Sequence, residues 1–206
     1  MNAPLKLAFL ISGGGTTFTN VHDKIEAGAL HAEIVCVISS SRKAAGLQRA
    51  RDLGYAAHVV SRRKFDDDAA FSEAIGEHVR AAGAQLIVLG GFLKRFLPPQ
   101  DYAQACINIH PSLIPAFCGA GFYGMRVHEA VWAKGCRVSG CTVHLVNEVY
   151  DEGPILVQRA VQLVDGDSPE MIRKKVFAEE CEAMPEAIRM FAEDRVRFEA
   201  GRAVIS

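Results

Sequence analysis

What the chain lacks narrows its class first. None of its six cysteines (36, 106, 118, 136, 141 and 181) forms a Cys-x-x-Cys pair, and most lie in apolar segments, where a free thiol behaves as a small hydrophobe. That argues against a structural zinc site, and no metal is expected; it also predicts a reducing, cytoplasmic setting. No apolar run approaches the roughly 18 residues of a membrane span. The opening MNAPLKLAFLISGGG places one lysine before an apolar run too short for a signal-peptide core, and the run passes straight into a glycine turn. Charge of one sign is never concentrated: 23 basic residues stand against 24 acidic ones, and Arg62-Arg63-Lys64 is answered at once by Asp66-Asp67-Asp68. Nothing here forms a nucleic-acid footprint, so neither nucleic acid nor membrane is expected as a partner. Internal repeats, low-complexity stretches and linkers are absent as well.

What is there alternates. The chain has 206 residues, 50% of them hydrophobic, with 18 glycines, enough for one α/β domain with a real core. Apolar runs at 5–12, 33–39, 56–60, 85–92 and 105–110 read as strands, and the run at 85–92 is continuously apolar, as in a strand buried on both faces. Amphipathic patterns at about 18–29, 43–54 and 67–82 read as the helices between them, the last two stopped by Gly54 and Gly83. Strands spaced by helices of this length predict right-handed βαβ units and a parallel sheet.

The rhythm changes after residue 110. A loop rich in Gly and aromatics (118–124) leads to a helix near 125–134, then two strand-like runs (137–147 and 154–164) joined by an acidic turn that suits antiparallel pairing. Asp167-Ser168-Pro169-Glu170 is a helix start with a polar cap and proline in the first turn. The final helix is predicted to reach about residue 198, kinked or divided at Pro185. The expected fold is α/β: a Rossmann-like, mostly parallel twisted sheet with helices on both faces and an antiparallel C-terminal strand pair, in a single domain spanning 1–206.

Three places could carry chemistry. SGGGTT (12–17) follows the first strand and opens the first helix, so Gly14, Gly15, Thr16 and Thr17 present main-chain N–H groups either as a phosphate cradle or simply as a tight turn. It is neither a dinucleotide fingerprint nor a P-loop. Asn108 and His110 sit two residues apart at the end of a strand, hence on one face, at the edge where open α/β sheets place ligands; a merely structural His110 capping the strand is the other reading. His144 lies on a later strand with Asp151 in the turn beyond it, and an aspartate beside a histidine raises the imidazole pKa, although acidic residues before glycine are also ordinary turn residues. The other histidines, including His128, have no partner visible in the sequence. Ser112 follows His110 in a Pro-x-x-x-Pro turn rather than on a nucleophile elbow. The set looks built to polarise a carbonyl and move a proton rather than to form a covalent intermediate.

Three motifs in order, Asn108 to Pro115, Ser139 to His144 and Asp151 to Ile155, closely resemble the formyltransferases that use 10-formyltetrahydrofolate, and essentially the whole chain is similar to those acting on glycinamide ribonucleotide in purine synthesis. The resemblance implies an enzyme in which Asn108, His110 and Asp151 form the catalytic trio with His144 in support. It implies that the 14–17 loop holds the substrate phosphate and that Glu180 and Pro111 contact the ribose and glycinamide. Phe92, Leu93, Val146 and Asn147 would border the folate, with residues 1–105 forming the nucleotide side and 106–206 the catalytic and folate side. The formyl donor is then a cosubstrate, no metal is needed, and the protein is expected to be a monomer or homodimer. On the resemblance, the extra domains of methionyl-tRNA formyltransferases and of formyltetrahydrofolate deformylases are not expected within these 206 residues. The chain departs from that pattern in Thr16-Thr17, where relatives carry Ser-Asn. It also has Asp66-Asp67-Asp68 near a position where relatives carry a phosphate-reaching arginine, for which Arg62, Arg63 or Lys64 are the candidate replacements.

Overall fold

The computed structural model describes residues 3–206. Seven strands form one sheet. In chain order they are β1 (Leu5–Ile11), β2 (Ala32–Ser39), β3 (Ala57–Val59), β4 (Leu86–Leu89), β5 (Cys106–His110), β6 (Val138–Leu145) and β7 (Ile155–Gln162), arranged spatially as β3-β2-β1-β4-β5-β6-β7. The first five pair in parallel; β6 runs antiparallel to both β5 and β7. The helices are α1 (Thr16–Glu26), α2 (Ala45–Asp52), α3 (Asp68–Ala81), α4 (Met125–Ala133) and α5 (Pro169–Ala192). Among the described residues, no helix is long and apolar enough to cross a membrane.

Strand β1 shows why helices cover both faces. Leu7, Phe9 and Ile11 belong to one apolar cluster with Phe18 and Val21 of α1, Val131 of α4 and Ile172, Val176 and Ile188 of α5. Ala8 and Leu10 belong to the other, with Phe71, Ile75 and Val79 of α3. Alternate side chains of one strand thus serve two cores, and both faces need a helical layer to exclude water. The strand order reverses at β1, with β2 on one side and β4 on the other, so a crevice opens beyond the carboxyl ends of these two neighbours.

The end of the chain corrects the sequence expectation. The last helix stops at Ala192 rather than near 198, and it runs through Pro185 instead of dividing there. Asp194 turns the backbone at φ 52, and a two-stranded hairpin follows, β8 (Val196–Glu199) and β9 (Arg202–Ile205), turning at Ala200 (φ 49) and Gly201 (φ 76). Alternating charged and apolar residues in VRFE and RAVI are compatible with either period over so short a span. The fourth strand also ends sooner than expected, at Leu89, because Gly90 and Gly91 (φ 70) turn the chain toward the crevice.

The loop after β1 is held from behind by α2. Gly46 N–H donates to Gly13 O at 3.0 Å, and a Cβ at Gly46 would lie 2.9 Å from the Gly15 Cα and 2.8 Å from Cδ1 of Ile11. Gly46→Ala gains about 1 kcal/mol in helix propensity, whereas overpacking against main chain costs about 1–3 kcal/mol. A lower melting temperature is therefore expected; an unchanged or raised one in thermal unfolding would show that the loop yields freely.

Candidate active site

A cavity of about 580 Å³ lies over the carboxyl ends of β1, β4 and β5. Gly14, Gly15, Thr16 and Thr17 line it, as do Asn108, His110, Pro111, His144 and Asp151. Phe92, Leu93, Val146, Asn147 and Glu180 complete the set, so every residue that the resemblance assigned to the site borders this cavity.

The polar centre follows from strand register. Asn108 and His110, two apart on β5, face Asn108↔His144 and His110↔Thr142 across the antiparallel pair. His144 Nδ1–H donates to the Leu145 carbonyl at 2.8 Å. Its Nε2 meets two groups, Asn108 Nδ2 at 3.1 Å and Asp151 Oδ1 at 3.5 Å. The neutral ring therefore accepts from the amide, while a protonated ring donates to the carboxylate. His110 is 4% exposed; its Nε2–H donates to the Phe117 carbonyl at 2.9 Å, and its Nδ1 lies 3.5 Å from Asp151 Oδ2.

Asp151 reaches both rings because of its turn. It adopts φ 59, and a Cβ on Gly153 would lie 1.8 Å from the Leu145 carbonyl oxygen, so only glycine lets the chain double back this closely beneath β6. Burial pushes the Asp151 pKa up, but the His144 hydrogen bond, the nearby His110 and the Gly119 N–H at 2.8 Å outweigh it, and the net direction is down. At His110 the balance runs the other way: burial pulls the pKa below its ordinary value more than the Asp151 charge raises it. The free site thus holds an ionised carboxylate beside a buried, readily neutral imidazole.

Ser112 is occupied as a donor, its Oγ–H bonding to the Ala116 carbonyl at 2.6 Å, which fits a turn-stabilising hydroxyl rather than a nucleophile. Thr142 fastens the same turn: its Oγ1 donates to Ser112 O at 2.7 Å and accepts from Ile114 N–H at 3.1 Å.

At the other end of the cavity, Gly15 caps α1 at φ 68 with no side-chain cap bond, so the first N–H groups of the helix are left for a ligand. The Thr17 side chain is buried against Gly90, where a Cβ would come within 3.0 Å, so the loop presents main chain more than threonine hydroxyls. None of Arg62, Arg63 and Lys64 lines the cavity; Arg62 is held by Asp68 at 2.6 Å and by the Phe65 carbonyl. The cation beside the loop is Arg49 of α2, donating to Thr19 Oγ1 at 3.0 Å and to Gly14 O at 3.4 Å.

Of a second wall, the sequence reading had only Glu180. Arg173, Phe177 and Glu180, spaced i, i+4 and i+7 on α5, line the cavity together with His128 of α4. Helical periodicity alone could have grouped the three on α5, but not shown that they face the crevice. Asn20 Nδ2 ties α1 to this part of α5 by donating to Cys181 O at 2.8 Å. Burial pushes the Glu180 pKa up to about 7, against the opposing charge of Arg173. Burial, then Arg173 and His110, pull His128 down to about 4. On the rim that carries Phe92, Leu93, Val146 and Asn147, Leu93 N–H donates to Ser12 Oγ at 2.9 Å, Val146 N–H donates to Cys106 O at 2.8 Å, and Arg95 reaches the Glu148 carbonyl at 3.1 Å.

The chain matches known proteins across nearly its whole length. A family model described as formyl transferase covers residues 5–188. The phosphoribosylglycinamide formyltransferase of Haemophilus influenzae is 36% identical over 202 residues, covering 97% of this chain and 93% of that protein. The chloroplastic phosphoribosylglycinamide formyltransferase of Arabidopsis thaliana is 37% identical over 199 residues, 94% of this chain and 67% of the relative. The crystal structure of glycinamide ribonucleotide transformylase 1 from Symbiobacterium toebii aligns with a TM-score of 0.89 at 35% identity, covering 100% of this chain and 95% of that one.

Glu180 yields a pH signature. A carboxyl whose pKa is 4.5 unfolded and about 7 folded holds its proton more tightly in the native chain, so its favourable contribution is complete at low pH and lost as pH rises through 7. Glu180→Gln removes that loss. The stability gap in favour of the variant should widen by up to about 3 kcal/mol between pH 4.5 and about pH 8 in urea unfolding. A gap that stays constant across this range would mean that Glu180 ionises freely.

Proposed function

The chain belongs to the formyl transferase family, and from that premise we propose that it moves the formyl group of 10-formyltetrahydrofolate to the amine of glycinamide ribonucleotide, a cytoplasmic step of purine biosynthesis. The observation carrying this reading is a single cavity lined both by Asn108, His110, His144 and Asp151 and by the open N-terminus of α1. The nucleotide phosphate sits on the N–H groups of Gly14 to Thr17, the amine points at β5, and the folate enters past Phe92, Leu93, Val146 and Asn147. Pro111 and Glu180 border the glycinamide and ribose. On this reading the phosphate is held before residue 105 and the catalytic groups lie after it, while both halves border the folate.

The amine lone pair attacks the formyl carbon and the carbonyl electrons move to oxygen. Asn108 Nδ2 supplies an N–H to that oxyanion, and His110 supplies positive charge once protonated. In the free site His110 already commits its Nε2–H to Phe117 O, so the nitrogen able to take a proton is Nδ1, which faces Asp151 at 3.5 Å. The amine must lose one proton and the departing folate nitrogen must gain one; the His110–Asp151 pair is placed to carry it. Loss of the tetrahydrofolate nitrogen re-forms the carbonyl as the product amide, with no covalent bond to the enzyme.

Two measurements test this. Consumption of 10-formyltetrahydrofolate should require glycinamide ribonucleotide; equal turnover without the amine would make the protein a hydrolase. Asp151→Asn should lower kcat at least about 10²-fold with little change in either KM, as expected for a group acting mainly in the transition state. Retained kcat would remove Asp151 from the mechanism.

A further inference from the structure

His128 has no role in the chemistry above, yet it is built into the cavity. It is 3% exposed on α4, lines the cavity beside Arg173, Phe177 and Glu180, and makes no hydrogen bond among the described residues. Its Nδ1 is sealed from solvent without a partner. The ring stays uncharged near neutral pH, since burial and the adjacent Arg173 and His110 all oppose a further positive charge.

A neutral imidazole carries one N–H and one lone pair. Orphaned buried N–H groups are rarer than under-satisfied acceptors, so the sealed Nδ1 keeps the lone pair and the proton resides on Nε2, the nitrogen left to face the cavity. The donor therefore has no acceptor among the described residues, and it lies within electrostatic reach of His110 and hence near the reacting amine. Of the acceptors on glycinamide ribonucleotide, the glycinamide carbonyl oxygen is the one closest to that amine. The carboxyl of Glu180 on the same wall is itself an acceptor for the N–H and O–H groups beyond it.

We propose that His128 is a binding residue for the formyl acceptor, its Nε2–H donating to the glycinamide carbonyl and fixing the amine relative to Asn108 and His110. This rests on the formyl-transfer reading of the cavity. It also explains why a histidine is kept uncharged here: a cation would compete with His110 for the charge of Asp151, whereas a neutral N–H orients the amide without doing so.

The test is steady-state kinetics on the intact chain with His128→Leu, His128→Asn and His128→Gln. The glutamine amide reaches about as far as Nε2, whereas the asparagine amide reaches only to Nδ1. Losing one neutral hydrogen bond is expected to raise the KM for glycinamide ribonucleotide about tenfold in the Leu and Asn variants. The Gln variant should stay within about twofold of the parent, and the KM for 10-formyltetrahydrofolate should move less than about twofold in all three. An unchanged acceptor KM in His128→Leu overturns the proposal, as does an equal rise in both KM values, which would mark a packing role. If the apolar variant does not fold, nitrogen-15 histidine spectra of the parent decide: the His128 Nε2–H signal should shift on adding glycinamide ribonucleotide and not on adding tetrahydrofolate, and a signal that ignores the nucleotide overturns the proposal. A parent that does not formylate the nucleotide would instead remove the function on which this rests.

Discussion

One buried carboxylate sets the electrostatics of the cavity. Asp151 is 9% exposed and lies 3.5 Å from both His110 and His144. Burial disfavours charge on both Asp151 and His110, and an imidazolium so far from water needs a counter-ion. Asp151 remains ionised because the Gly119 N–H and the two neighbouring histidines together outweigh its own burial. Without that carboxylate His110 would lose the one nearby charge that favours its protonation, and the site could orient a carbonyl but not sustain positive charge beside an oxyanion. The left-handed turn at Asp151 and the close passage of Gly153 under β6 are what this placement requires of the backbone.

The rest of the scaffold brings the open N-terminus of α1 into the same cavity as that centre. The reversal of strand order at β1 opens the crevice, and α2 presses the glycine loop forward through Gly46. The antiparallel strand β6 then places His144 opposite Asn108, which a parallel strand reached by a crossover would not do with the same register. The sheet is thus parallel where the glycine loop leaves it and antiparallel where it assembles the polar centre. The α5 helix closes the cavity with a face that mixes Arg173, Phe177 and Glu180.

Features that depend on a local period were legible in the sequence. The i, i+2 relation of Asn108 and His110, the glycine turn before α1 and the alternation of strands with helices all appear in the structure as read. What depended on tertiary proximity was not. That Asp151 spans two histidines follows from the β5–β6 register and from a backbone conformation unusual for aspartate, neither of which spacing reveals. The cavity-facing residues of α4 and α5 meet only after the chain has crossed the sheet, so His128 looked like any other partnerless histidine. Arg62 looked available to an anion but is spent on Asp68 and a carbonyl, whereas Arg49, inside an ordinary amphipathic helix, stands at the glycine loop. The C-terminal hairpin was misread because two four-residue strands with alternating charge offer too few residues to separate a period of 2 from one of 3.6.

The account turns on Asp151 governing the charge of His110, and a direct titration of that ring decides it. Nuclear magnetic resonance of the His110 imidazole should give a pKa below the ordinary 6.5 in the parent chain, since burial outweighs the carboxylate. In Asp151→Asn it should fall further, because burial remains and the opposing charge is gone. An unchanged or higher His110 pKa in that variant would contradict the account, showing that the two groups do not share a charge.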